Sequence, residues 1–269
     1  MIDRGTNNEY IRAMLLAFDI GNSNIVVGAF DDSKLINHFR LASNHRFTTD
    51  ECGFMVLGIL EKLELKPSQV DRVIIASVVP RLTPVFRNMS SKYLSVEPVI
   101  VSCDIKLPIK ISYEDPASVG ADRIANAVAA YVKFGGPIIV VDFGTTTNFD
   151  VINDLGTYLG GAIAPGPETS AQELASRTAR LFEVTVDRPK SAVGRNTGDS
   201  IKSGLFYGTI GQVDHLIKLI RDELGGDARI IATGGLAEQF IRYLQYIESA
   251  HPTLTLDGLK IIADYQLSE

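Results

Sequence analysis

Apolar and polar positions follow two periods along the chain, and the changes of period mark its elements. Residues 14–19 form a short apolar run and residues 25–30 a second, with Gly21-Asn22-Ser23-Asn24 between them. Asp31-Asp32 marks a turn, and residues 34–41 read as a third strand. The pattern thus predicts an opening β-meander. Residues 49–64 take helical spacing, with Phe54, Leu57 and Leu60 on one face. Residues 72–79 predict a buried strand bounded by Pro80, residues 84–93 a short helix, and residues 99–102 a strand. Ile124, Val128 and Val132 lie four apart in a predicted helix over 121–132, stopped by Gly135-Gly136-Pro137.

The second half repeats the first. Residues 137–142 form an apolar run ending in Asp142, followed by Phe143-Gly144-Thr145-Thr146. Strands are then expected over 148–152 and 158–163, with a turn at Asn153-Asp154. An offset of 123 places Asp19 on Asp142, Gly21 on Gly144 and Ser23 on Thr146. A weaker echo, at an offset of 157, sets Arg72 and the apolar run after it against Arg229 and its run. Repeats on this scale indicate a duplicated α/β domain rather than a solenoid. Helices are also expected over 170–182 and 237–248, with a polar loop carrying Gly194-Arg195-Asn196-Thr197. The division expected is 1–13 as a polar extension or alternative start without signal-peptide character, 14–136 as a first domain and 137–269 as a second.

Composition narrows the choices. Hydrophobic residues are 45% and charged residues 22% of 269, which fits a globular chain and excludes a disordered or collagenous one. The net charge of −6 argues against a nucleic-acid or anionic-membrane partner, and no apolar run has the length of a membrane span. Cys52 and Cys103 lack zinc or redox spacing and read as buried free thiols in a reducing cytosol. The four histidines are scattered, which argues against a His triad or zinc site.

The paired Asp-x-Gly turns carry the first candidate chemistry. A glycine lets a phosphate approach backbone N–H groups, and neighbouring hydroxyls add donors. A carboxylate at the strand end suits a cation that bridges to phosphate. An ordinary hairpin would use the same residues, but two matched turns facing a cleft would clamp a nucleoside triphosphate. Thr233-Gly234-Gly235 at a strand-to-helix junction serves equally as a plain turn or a nucleotide contact. Gly120-Ala121-Asp122-Arg123 opens a helix. Asp122 suits a cap or a general base, with its pKa held low by the helix end, and Arg123 suits a two-pronged grip on a substrate carboxylate or a surface ion pair.

Together these segments resemble the type III pantothenate kinases of the acetate/sugar kinase–Hsp70–actin superfamily. The resemblance rests on the turn after Asp19, on Gly120-Ala121-Asp122-Arg123, on Asp142-Phe143-Gly144-Thr145, on Gly161-Ala162-Ile163-Ala164-Pro165-Gly166, on Gly194-Arg195-Asn196-Thr197 and on Ala232-Thr233-Gly234-Gly235. It implies duplicated actin-like (ribonuclease H-like) α/β domains with mixed sheets and a nucleotide in the cleft between them. It also implies phosphorylation of pantothenate by ATP with Mg2+, the first step of coenzyme A biosynthesis, in a cytoplasmic homodimer. Asp19, Ile20, Gly21, Asn22, Ser23, Asn24, Ile25 and Val26 match the phosphate-binding loop, and Thr145 matches a further ATP contact. Asp122 matches the proton acceptor. Tyr113, Gly120, Ala121, Asp122, Arg123 and Thr197 match the pantothenate site, and Asp142 matches a ligand of a monovalent cation, K+ or NH4+. Two other readings use the same scaffold: a kinase for another small hydroxy acid, and a non-enzymatic ATP-binding regulatory factor.

Overall fold

In the computed structural model, residues 14–267 are described; the expected extension over 1–13 lies outside them. By packing, the chain divides after Val101 into one unit that runs to that residue and a second spanning Ser102–Tyr265. In the first unit, β1 (Met14–Ile20), β2 (Asn24–Asp31) and β3 (Lys34–Ala42) form the expected meander. The helix α1 (Thr49–Lys62), the strand β4 (Val70–Ser77), the helix α2 (Leu82–Met89) and the short strand β5 (Val99–Ile100) follow. The sheet order is β3-β2-β1-β4-β5, antiparallel across the meander and parallel from β1 to β5.

Helix α1 starts where its sequence dictates. Thr48 and Glu51 form a reciprocal capping box that satisfies two otherwise orphaned N–H groups. Its buried face is Cys52, Val56, Ile59 and Leu60, packed on Phe18, Ile20 and Ile75 of the sheet. Phe54 was expected on that face but is 69% exposed, one position off the stripe that reaches the sheet. Each large apolar side chain buried here contributes roughly 1.5–3 kcal/mol. Of the two thiols, Cys52 is buried and Cys103 only half-buried, so the expectation of two buried cysteines holds for one.

The second unit contains β6 (Lys110–Ile111), α3 (Ala121–Phe134), β7 (Ile138–Phe143), β8 (Thr146–Ile152), β9 (Thr157–Pro165) and α4 (Pro167–Arg177). Then come α5 (Thr197–Glu223), β10 (Arg229–Thr233), α6 (Ala237–Phe240), β11 (Ser249–Ala250) and α7 (Leu254–Tyr265). The sheet order is β11-β10-β7-β8-β9-β6. Without β6 it is the order of the first sheet, with β7 in the place of β1, and the strand directions agree. The 123- and 157-residue echoes are therefore two copies of one topology. Gly135-Gly136-Pro137 closes α3 within the second unit, because that helix packs on β7, β8 and α7. The strand repeat and the packing thus divide the chain at different points.

Several predicted helices shrink. Helix α4 ends at Arg177, short of 182, and α6 holds one turn before a 3₁₀ segment, where a helix to 248 was expected. Register also corrects one pairing of the repeats. Gly21 N–H bonds Asn24 O, whereas Gly144 N–H bonds Thr146 O, so the second turn is one residue shorter. Counted back from the following strand, Ser23 corresponds to Thr145, not Thr146.

The two faces of the second sheet differ. Ile139, Val141, Phe143 and Phe149 face a core with Phe206 and Phe240, where Phe143 and Phe240 stack at 5.6 Å. Asp142 pairs in register with Asn148, and Val140 with Asp150, so the alternate positions carry polar side chains to the other face. There α3 and α7 cross closely: a Cβ on Gly258 would lie 1.9 Å from Ala125 O. Among the described residues, no helix is long and apolar enough to cross a membrane.

Candidate active site

The site of the second unit is built where the start of α3 meets the polar face of β7 and β8. Gly120 is the N-cap residue, so the helix begins with Ala121, Asp122 and Arg123. Asp122 is in the first turn, half-buried, and its Oδ1 accepts the N–H of Arg123 at 2.8 Å. The helix end and Arg123 pull its pKa down, but loss of water outweighs them and the pKa is raised. The expectation of a lowered pKa is thus reversed.

Arg123 is buried, not the surface ion pair that sequence allowed. Its Nε donates to Asp150 Oδ1 at 2.7 Å, and its Nη2 lies 3.4 Å from the carbonyl oxygen of Phe149. Tyr158 on β9 donates its hydroxyl to the same Asp150 oxygen at 2.9 Å, and its ring lies 5.8 Å from the guanidinium carbon. Burial pushes the Asp150 carboxyl up to about 6 against the pull of Arg123 and Tyr158, with the Asp122 charge adding to the rise. Tyr158 is likewise raised, first by burial and then by the Asp150 charge. Because Nε is taken, a two-pronged grip on a ligand carboxylate has only the Nη end of Arg123 left to use. Tyr113 is 38% exposed, 6.3 Å from the Tyr158 ring. Gly160 gives it room: at a φ of +109°, a Cβ there would meet the Tyr113 ring at 2.8 Å.

One helical turn along α3, Asn126 donates to Asp142 Oδ2 at 3.0 Å and accepts from Thr255 of α7 at 2.8 Å. Asp142 stands at the end of β7 beside Gly144 and Gly234. Gly234 has a φ of +91°, and a Cβ on it would sit 2.4 Å from Asp142 Oδ1. The glycine therefore makes the space that this carboxylate oxygen occupies. Among the described residues no three His, Cys, Asp or Glu side chains cluster as a metal site. Thr145 is exposed at the turn tip, and its carbonyl accepts from Thr169 Oγ1 at 2.7 Å.

The remaining expected residues stand elsewhere. Thr197 opens α5, capped by Asn196, and lines an apolar groove with Leu174, Leu181, Ile201 and Leu205. In the first unit, Asp19 and Ile20 end β1, Gly21, Asn22 and Ser23 form the turn, and Asn24, Ile25 and Val26 begin β2. Asn22, Ser23 and Asn24 are exposed, while Ile20 and Ile25 are buried and anchor the turn. The structure thus gathers Tyr113, Gly120, Ala121, Asp122 and Arg123, places Asp142 on β7 against Asn126 of the same helix, and leaves Thr197 on a separate groove. Sequence reasoning missed Asp150, Tyr158 and Asn126. The available signal was a lone aspartate inside the apolar run over 148–152.

The sequence model of the type III pantothenate kinase family matches residues 15–219, well over half of the chain. The chain belongs to the type III pantothenate kinase family. The type III pantothenate kinase of Moorella thermoacetica is 44% identical over 249 residues, covering 93% of this chain and 98% of that protein. The type III pantothenate kinase of Dehalococcoides mccartyi is 40% identical over 255 residues, covering 95% and 98%. Among solved structures, ethanolamine utilization protein EutJ from Carboxydothermus hydrogenoformans superposes with a TM-score of 0.56 at 17% identity, covering 93% of this chain and 89% of that one. That likeness bears on fold alone. With the repeated strand order, it makes the duplicated actin-like architecture the fold of this type III pantothenate kinase family member.

Proposed function

We propose that this kinase transfers the terminal phosphoryl group of ATP to the primary hydroxyl of pantothenate, the first step of coenzyme A biosynthesis. Family membership supports the reaction class. The observation that carries the assignment of roles is the pairing of Asp122 and Arg123 at the start of α3, one half-buried and desolvated, the other locked by Asp150. Phosphoryl transfer is mostly positioning and charge neutralisation. Asp122 accepts the hydroxyl proton as the oxygen attacks phosphorus and ADP leaves. Its raised pKa makes it a stronger base than an ordinary carboxylate. Arg123 holds the carboxylate of pantothenate, with Tyr113, Gly120 and Ala121 beside it.

The turn from Asp19 to Val26 and the hydroxyl-bearing tip at Thr145 are the phosphate-binding candidates. Magnesium with ATP and a monovalent cation, K+ or NH4+, would supply positive charge against the phosphate oxygens. Asp142 fits as the residue holding the monovalent ion, since it offers a carboxylate at the end of β7 that Asn126 orients through Oδ2 and that has room for Oδ1 because Gly234 lacks a side chain. The apolar groove bearing Thr197, flanked by exposed Leu174 and Phe182, supports a homodimer in which Thr197 reaches a pantothenate site. Two free thiols fit a cytoplasmic enzyme, with the duplication boundary at 136/137.

The test is a product assay with pantothenate, ATP and magnesium, in potassium and in sodium. Phosphopantothenate is expected, with turnover depressed in sodium. Tight ATP binding without transfer to any acceptor would favour the regulatory reading.

A further inference from the structure

Asp150 has entered so far only as the partner that locks Arg123, and Tyr158 has no assigned role. Asp150 is fully buried on β8, on the same face of the sheet as Asp142. Its Oδ1 takes two hydrogen bonds, from Arg123 and Tyr158, while its buried Oδ2 has no partner among the described residues. A buried ion pair is a poor device for stability, because desolvation offsets the attraction and apolar packing often does as well. An orphaned carboxylate oxygen makes the balance worse. What this pair does supply is geometry. Asp150 fixes the Nε edge of the guanidinium, the Tyr158 ring lies 5.8 Å from its carbon, and Phe149 O approaches Nη2. Nη1 makes no hydrogen bond to a described residue.

We propose that Asp150 and Tyr158 are positioning residues that hold Arg123 so that its Nη end meets the acceptor's carboxylate, making the enzyme selective for hydroxy acids over neutral alcohols. The inference deepens the pantothenate kinase reading and rests on it. An arginine on a flexible stem would lose rotamer freedom on each binding event; one already locked has lost it on folding. The carboxylate of the substrate then also offers charge to a guanidinium whose other edge is already neutralised. Selectivity thereby depends on placement of the donors rather than on net charge.

Steady-state kinetics on the full chain test this with two acceptors: pantothenate, and its alcohol analogue with CH2OH in place of the carboxylate. Asp150→Asn should raise KM for pantothenate about 10- to 100-fold, the range of a charge-assisted hydrogen bond, with kcat changed less than about threefold. Its kcat/KM for the alcohol analogue should change less than about threefold, so the preference for the acid collapses. Tyr158→Phe keeps the carboxylate and the packing, and should show the same selective loss at about three- to tenfold. Equal losses on both acceptors, or an unchanged pantothenate KM, would overturn the inference. Should Asp150→Asn not fold, Tyr158→Phe decides alone by the same ratio. If the wild-type chain phosphorylates neither acceptor, the kinase reading fails. Calorimetric binding of the two compounds then decides the positioning role: selective weakening of the acid in the variants upholds it, and equal affinities overturn it.

Discussion

The two units each hold an aspartate that takes one bond from a cation and one from a tyrosine on the same oxygen. In the first, Asp50 Oδ1 accepts from Lys92 at 2.6 Å and Tyr93 at 2.7 Å, and both charged side chains are more than half exposed. In the second, Asp150 Oδ1 accepts from Arg123 at 2.7 Å and Tyr158 at 2.9 Å, with 9% exposure on the arginine and none on the carboxylate. Similar partners at similar distances produce opposite electrostatics. Hydrogen bonds from Lys92 and Tyr93 lower the Asp50 pKa, whereas burial raises that of Asp150. The exposed triad is screened by water and contributes little. The buried one is costly, and its value lies in fixing an arginine.

The repeated hairpins teach the same lesson. Asp19 is flanked in register by Val26 and Ala76, but Asp142 by Asn148 and Thr233. By the same register, Gly28 of the first unit stands where the second has Asp150. The duplication keeps the scaffold and places this polar constellation in one copy. The sharpest way to break the comparison is Asp122→Asn. We expect kcat to fall by about 10²- to 10⁴-fold, as for loss of a general base, with melting temperature held or raised. A variant with kcat within a few-fold of wild type would remove the proton-acceptor role. The next effect comes from Gly234→Ala. Its φ of +91° and the 2.4 Å approach to Asp142 Oδ1 predict a loss of roughly 1–3 kcal/mol in denaturant unfolding, together with a smaller difference between potassium and sodium if Asp142 holds a monovalent ion. Gly144→Ala meets nothing nearer than Thr146 O at 3.6 Å, so it should leave stability unchanged and raise KM for ATP if this turn holds phosphate.

The repeat was legible because apolar runs and the Asp-x-Gly turns recur at a fixed offset, and strand order follows from connectivity that is short and local. The start of α3 was legible from Gly120 and from the periodicity of Ile124 and Val128. What escaped was partner choice across distance. Nothing local ties Arg123 to Asp150, 27 positions on, or Asn126 to Asp142. The sign of the Asp122 shift escaped for the same reason: the helix end is visible in sequence, but the desolvation that overrides it comes from tertiary packing. Helix α6 failed differently. Leu244 and Ile247 continue an apolar pattern, yet they join the core from non-helical chain that follows the 3₁₀ turn at Ile241–Tyr243, so tertiary contacts override helical spacing.

The smallest expected effect is a slope rather than a loss, and it pits the two triads directly against each other. A group whose folded pKa is raised binds more protons folded than unfolded, so its contribution falls as pH rises. For Asp150 that contribution is complete below the ordinary carboxylate value of 3.8 and gone above about 6. The groups facing it, Arg123 and Asp122 from α3, Tyr158 from β9 and Tyr113, are included in that balance. The melting-temperature difference between wild type and Asp150→Asn should therefore shrink from pH 4 to pH 6.5, with the variant gaining relative to wild type. Asp50 has the opposite sign: its pKa is lowered by Lys92 and Tyr93, so its contribution is present at neutral pH and lost on acidification. Asp50→Asn should thus show a difference that grows with pH, shallow and abolished by salt. Slopes of the same sign for both aspartates would mean that the Arg123 pairing outweighs burial. The buried triad would then be a stabilising ion pair, and stability alone would account for it.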